Sequence, residues 1–303
     1  MLLHGIRILD LTRLLPGGYC TQLLQEQGAH VIKVEAPSGD PIRRLPGGPA
    51  FFDALHKAKE LVVLDLRRSD GRAAVLKLVA EVDVVVEGFR PGVMERLQLG
   101  YERLSEVNPG LIHCAITGYG SGGALAKRAG HDLNYLARSG VLSLMPRIDG
   151  QPVIPGFQVA DLAGGLEAAF LIASALAARA RTGKGSRVEV SMTHLMRRWT
   201  VLPRAARRAG LQGIPLTGEL PCYHVYRVAD GFLTVAALEP EFWGEFCNAI
   251  ERPDLIERQL DPSAIPDVDS VLLSRTRVDW IRIFGTRDVC VEPVLTLEES
   301  EAS

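Results

Sequence analysis

The chain predicts an α/β fold: an open parallel-sheet, Rossmann-like large domain joined to a smaller α+β domain. Three observations carry this. Short β-branched apolar runs alternate with helical patterns through the first 120 residues. The runs are continuously apolar instead of alternating, as expected of strands covered on both faces. After about residue 190 the character changes to a basic stretch followed by a hairpin signal.

Taken in order, strands are predicted over 6–11, 31–35, 61–66, 82–87 and 111–117. Helices are predicted between them over 21–27, 71–80 and 93–97. Ligands of such sheets sit beyond the carboxyl ends of the strands. A further helix is expected after Gly130, over 131–138, and a longer one over 161–179. The second is so apolar all round that it should be buried. The longest apolar stretch of the chain, 168–178, is too short to cross a bilayer. The basic stretch from Arg197-Arg198 to Arg207-Arg208 reads as a solvated helix or linker. Beyond it come a hairpin over 223–238 with an Asp-Gly turn at Asp230-Gly231, helices over 241–250 and 269–284, and a strand-like run over 289–297.

Composition bounds the function. The chain has 303 residues, 47% hydrophobic and 23% charged, with a formal charge of −2. That balance gives no electrostatic reason to expect nucleic acid or an anionic membrane as partner. The five cysteines are widely spaced and lack a C-x-x-C pair. They read as reduced core residues of a cytoplasmic protein, not as a disulfide framework or zinc site. The N-terminus carries no signal-peptide pattern.

Three segments could hold chemistry. Gly118-Tyr119-Gly120-Ser121-Gly122-Gly123 is a literal G-x-G-x-x-G after a predicted strand. No helix opens at once behind it and no acid ends a following strand, so it reads better as a flexible turn near a ligand than as a dinucleotide site. In Gly130-His131-Asp132-Leu133-Asn134-Tyr135, the histidine suits a structural hydrogen bond or a base, and Asp132 suits a helix cap or first-turn acid. In Val159-Ala160-Asp161-Leu162-Ala163-Gly164-Gly165, Asp161 leads into an apolar helix as a cap would. The two glycines leave space there for backbone N–H groups to face a ligand oxygen.

Read together, the segments resemble a known family. Gly5-Ile6-Arg7-Ile8-Leu9-Asp10-Leu11-Thr12, Gly28-Ala29-His30-Val31-Ile32-Lys33-Val34-Glu35, Val86-Glu87-Gly88-Phe89-Arg90-Pro91-Gly92-Val93-Met94-Glu95-Arg96 and Arg181-Thr182-Gly183-Lys184-Gly185 look like the class III CoA-transferase family. The resemblance runs from about residue 5 to about 297. Gly130-His131-Asp132-Leu133-Asn134-Tyr135, Val159-Ala160-Asp161 and Leu238-Glu239-Pro240-Glu241-Phe242-Trp243 resemble its α-methylacyl-CoA racemase branch.

The resemblance implies that Asp161 and His131 are two opposed bases, with Glu239 supporting His131. It implies that Arg90, Arg96, Asp132 and Tyr135 line the coenzyme A and acyl pocket. Coenzyme A would be part of the substrate, an acyl-CoA thioester, with no separate cofactor and no metal. The implied assembly is an interlocked homodimer. The implied domains are a large α/β domain over 1–195, a linker over 196–218, a small α+β domain over 219–285 and a return to the large domain over 286–303. The chain ends where the family usually continues for several dozen residues. Ala36 and Phe157 stand where racemases often carry an Arg and a polar residue.

A racemase needs two unlike bases, one on each face of a planar enolate, and a neutral imidazole with a carboxylate fits that division. A CoA-transferase needs one carboxylate nucleophile, which Asp161 alone could supply. A non-catalytic acyl-CoA-binding relative is the third expectation.

Overall fold

The computed structural model describes residues 1–211 and 216–302. They form two compact units, Met1–Val201 and Leu202–Ser303, each with its own hydrophobic core.

In the first unit the elements run β1 (Arg7–Asp10), α1 (Leu14–Glu26), β2 (His30–Glu35), α2 (Gly48–His56), β3 (Glu60–Val63), α3 (Ser69–Val79), β4 (Val84–Glu87), α4 (Val93–Arg96), α5 (Tyr101–Val107) and β5 (Ile112–Thr117). They continue with α6 (Asp132–Ser139), a two-residue hairpin of β6 (Arg147–Ile148) and β7 (Gln151–Pro152), α7 (Val159–Thr182), β8 (Ser186–Ser191) and α8 (Met192–Trp199). Six strands form one parallel sheet in the order β3-β2-β1-β4-β5-β8. The chain winds outward from β1 in one direction and then, from β4, in the other. The switch point therefore lies between β1 and β4, where a crevice opens beyond the strand carboxyl ends. The central strands are buried on both faces: every residue of β4 and β5 is inaccessible to solvent or nearly so. This explains their unbroken apolar runs.

Several boundaries differ from the sequence expectation for identifiable reasons. Helix α1 starts seven residues earlier than predicted, running through Pro16-Gly17-Gly18. Pro16 falls in the first turn, where a missing N–H breaks no intrahelical bond. Gly17 is required by packing, since a Cβ there would stand 2.2 Å from that of Thr12. Helix α7 is longer than expected, at 24 residues. By length and mean hydropathy (1.6) it is the one helix among the described residues long enough to cross a bilayer, although half of that window is buried. Nor is it buried all round: Leu166 and Phe170 are 52% and 64% exposed, while Ala163, Ala168 and Ile172 face the core.

The expected linker start at 196 is also corrected. Residues there belong to α8, whose Met192, Leu195 and Met196 are buried within the first unit. Residues 212–215 of the expected linker lie outside the described residues. In the second unit come α9 (Val201–Arg208), the hairpin of β9 (Tyr223–Val228) and β10 (Gly231–Ala236), α10 (Pro240–Ala249), α11 (Ile265–Leu272), α12 (Arg277–Phe284), β11 (Val291–Pro293) and α13 (Leu297–Ala302). The single helix expected over 269–284 is two, because Thr276 caps α12 by accepting from the Asp279 N–H at 3.2 Å. The segment expected to return to the large domain instead adds β11 to the free edge of β10, in the order β11-β10-β9. Burial of Val291 in the second core fixes it there. That core is aromatic, with Trp243, Phe246, Phe284 and Trp280 stacked in sequence. Of the five cysteines, Cys20, Cys114, Cys222 and Cys247 are buried, Cys290 is exposed, and all are free thiols.

Candidate active site

The crevice at the switch point is a cleft of about 240 Å³. Its floor and walls come from the loop after β1 with the start of α1 (Arg13, Leu14, Gly17) and from the loops after β4 (Gly88, Phe89, Arg90) and after β5 (Gly118, Tyr119). The starts of α6 and α7 contribute His131, Tyr135 and Asp161. Four of the seven expected site residues are thus brought to one cavity: His131, Asp161, Tyr135 and Arg90.

His131 is the N-cap residue of α6, and its imidazole is exposed. The Asn134 side chain accepts from the His131 backbone N–H at 3.1 Å, which fixes where the ring leaves the chain. Asp161 stands in the first turn of α7. Burial foremost, and then the Asp132 charge, push its carboxyl up to about 7. Tyr135 packs edge-on against Tyr119 at 5.2 Å between ring centres and donates to the Gly130 carbonyl. Burial, then the Asp161 charge, push its phenol up to about 12, so it remains a donor. Gly118 and Gly130 allow this close packing: a Cβ on either would lie within 3 Å of the Tyr135 ring. In that role Tyr135 fastens the loop after β5 to the start of α6.

Three expectations are corrected here, for Asp132, for the two glycines and for Arg96. Asp132 does not line the cleft. Its Oδ1 accepts from the N–H groups of Ala160 at 2.6 Å and Asp161 at 3.1 Å. It thereby caps α7 from a neighbouring helix, at positions where Gln158, the residue before that helix, makes no side-chain cap. The N–H groups of Ala160 and Asp161 at this helix start are therefore occupied by Asp132 and not free for a ligand oxygen. Nor do the two glycines leave open space. A Cβ on Gly165 would come within 2.6 Å of the Pro16 carbonyl, and one on Gly164 within 2.7 Å of Met192 Cγ, so both serve helix packing. Arg96 is exposed at the last position of α4, outside the cleft lining. Glu239 belongs to the second unit, exposed at the N-cap of α10.

Sequence reasoning missed Arg13 and Arg128, which also line the cleft. Arg13 lies over the Phe89 ring, 5.0 Å from its centre. Its backbone is anchored from below on both sides. Lys33 Nζ, fully buried, donates to the Thr12 carbonyl. The Leu14 N–H donates to Asp40 Oδ1 at 3.1 Å, and Leu14 is held in the left-handed region at φ 64°. Lys33 also pairs with Asp10 at 3.6 Å and Asp40 at 3.4 Å. Burial alone would raise Asp10, but Lys33, Lys59 and the Thr12 and Thr21 hydroxyls hold its carboxyl well below the usual range. Position was the available signal: Arg13 lies in the loop just beyond the first strand's carboxyl end.

The open parallel sheet and its crevice, lined by an imidazole and a part-buried carboxyl, define an α/β protein with titratable side chains at its switch point. The chain belongs to CoA-transferase family III, whose pattern matches residues 3–303. It is 37% identical over 311 residues to the human alpha-methylacyl-CoA racemase, covering 99% of this chain and 79% of that protein. It is 35% identical over 300 residues to the succinyl-CoA:mesaconate CoA-transferase of Haloarcula hispanica, covering 92% of this chain and 74% of that one. Among solved structures, the crystal structure of Rv3272 from Mycobacterium tuberculosis superposes with a TM-score of 0.86 at 31% identity, covering 99% of this chain and 86% of that one. The family so defined is enzymatic and acts on CoA thioesters, with racemases and CoA-transferases among this chain's relatives.

Proposed function

We propose that the protein inverts the α-carbon of a 2-methylacyl-CoA by two-base proton transfer. The observation that carries the reading is the sharing of one cleft by His131 and a carboxyl, Asp161, pushed up to about 7. Near neutral pH such a carboxyl is available both as acid and as base, and the imidazole of His131 supplies the second, unlike base. One of the two takes the α-proton from its face of the thioester, leaving an enolate with charge on the carbonyl oxygen. The protonated partner returns a proton to the opposite face, and the two protonation states exchange. Support of His131 by Glu239 and coenzyme A contacts by Arg90 and Arg96 belong to this proposal. The apolar side chains that α7 leaves exposed, Leu166 and Phe170, favour a homodimer as the working assembly.

The test is incubation with a 2-methylacyl-CoA in deuterated water. The expected result is deuterium at the α-carbon from either enantiomer, abolished on one face by His131→Ala. CoA transfer to an added carboxylate without exchange would replace this reading with the CoA-transferase one, in which Asp161 is the nucleophile. The observation favouring that second reading is the set of CoA-transferase relatives at 31–35% identity.

A further inference from the structure

The two peptide groups that flank Arg13 are gripped by one buried ion pair. Lys33, on β2, is fully buried and donates from Nζ to the carbonyl oxygen of Thr12 at 2.5 Å. Asp40, a few residues past the end of β2, is also buried, and its Oδ1 accepts from the Leu14 N–H at 3.1 Å. The two close on each other: Asp40 Oδ2, buried without a hydrogen bond of its own, lies 3.4 Å from Lys33 Nζ. Asp10 backs the same stretch from β1, accepting from the Thr12 N–H at 2.9 Å and the Thr12 hydroxyl at 2.6 Å.

Stability alone gives no reason for this arrangement. Two charges taken out of water lose hydration that their attraction seldom more than offsets, and apolar side chains of similar size would fill the space as well. What the pair holds is unusual. Among the described residues Leu14, Gln98, Asp149, Glu251 and Cys290 have left-handed backbone without being glycine, and of these Leu14 alone lines the cleft with His131 and Asp161. Such a backbone persists only where its surroundings over-determine it. Here they are Asp40 on the N–H and the cluster of Ile42, Phe52 and Leu55, against which the Leu14 side chain packs.

We propose that Lys33 and Asp40 are positioning residues for the reaction in the cleft: their ion pair fixes the main chain of 12–14, and so sets the wall, Arg13 and Leu14, against which the acyl-CoA is held. Neither residue lines the cleft itself, so the effect passes through the peptides they grip. The proposal rests on the reading of this cleft as the place where the thioester reacts.

Two double variants of equal charge test it on the full chain. Lys33→Met/Asp40→Asn removes both charges together and keeps an acceptor for the Leu14 N–H, so that the tie to Thr12 is what is lost. Lys33→Gln/Asp40→Asn retains an N–H donor at position 33. Calorimetry with 2-methylbutanoyl-CoA separates the folded fraction, read in the stoichiometry, from the geometry of the site, read in Kd. The methionine variant is expected to bind about tenfold more weakly, the scale of one lost hydrogen bond from a charged group, and the glutamine variant to recover part of that. Deuterium exchange per folded molecule should fall about a hundredfold in the methionine variant. Lys59→Met removes an equally buried lysine that grips the Gly18 carbonyl and the Thr21 hydroxyl instead, and should leave Kd unchanged. An unchanged Kd in the methionine variant overturns the proposal, as does equal weakening in the glutamine variant or in Lys59→Met. Amide hydrogen exchange on the wild type needs no variant to fold: the Leu14 N–H must be protected before any ligand is added, and free exchange there overturns the clamp. A weakened Kd in a chain without α-proton exchange sinks the racemase reading and leaves this one standing.

Discussion

Asp132 links the two groups of the cleft without entering it. It sits one residue after His131 and accepts from the N–H of Asp161 itself, so the two helix starts share one carboxylate. The same carboxylate, as a like charge, helps raise Asp161. Replacing it separates these effects. Asp132→Asn keeps an acceptor for the α7 N–H groups and removes the charge. The pH at which Asp161 becomes available as base should then fall below about 7, shifting the pH profile of α-proton exchange to lower pH. An unshifted profile would show that the Asp132 charge is not felt. Asp132→Ala removes the cap as well, at a cost of about 0.5–2 kcal/mol read by thermal melting. Asp161 binds its proton more tightly folded than unfolded. Its contribution to stability is therefore complete below the unfolded value of 3.8 and lost as pH rises through about 7. At this scale His131 and Asp161 were legible only jointly, through a resemblance. Locally each looked like an ordinary helix start, and Asp132's capping of a different helix depends on tertiary packing that no local pattern encodes.

Helix α7 is the element on which the site depends. It carries Asp161 at one end, packs along α1 and the sheet, and holds Arg179 in its last turn, which reaches Asp83 at 2.8 Å and the Gly110 carbonyl at 3.1 Å. Its glycines set how near α1 can come, and they predict unequal costs. Gly165→Ala drives a Cβ into the backbone carbonyl of Pro16, which cannot yield without moving α1. It should destabilise by about 1–3 kcal/mol in urea unfolding, despite alanine's better helix propensity. Gly164→Ala meets the flexible Met192 side chain and should be nearly neutral. Equal stability of the two variants would refute the close-packing account. The sequence showed these glycines but not their purpose: a small residue looks the same whether a ligand or another helix is to approach it.

For the whole molecule, the parallel sheet was readable because burial on both faces leaves continuous apolar runs, and each of the first five strands fell within two or three residues of its place. The fate of 286–303 was not readable. A three-residue strand such as β11 is defined by the edge it joins, and the edge of β10 is not written in its own residues. Assembly belongs to this scale too. If Leu166 and Phe170 are covered by a second copy, sedimentation should show a dimer that Phe170→Glu converts to a monomer, while a wild-type monomer would refute it. The uneven distribution of thiols has a practical consequence. With four cysteines sealed in the two cores and Cys290 alone at the surface beside β11, the folded chain offers a single handle for a fluorophore or spin label. Each further thiol that becomes reactive then counts an opening: Cys20 and Cys114 for the first unit, Cys222 and Cys247 for the second. The chain thus carries its own reporters of which half gives way first.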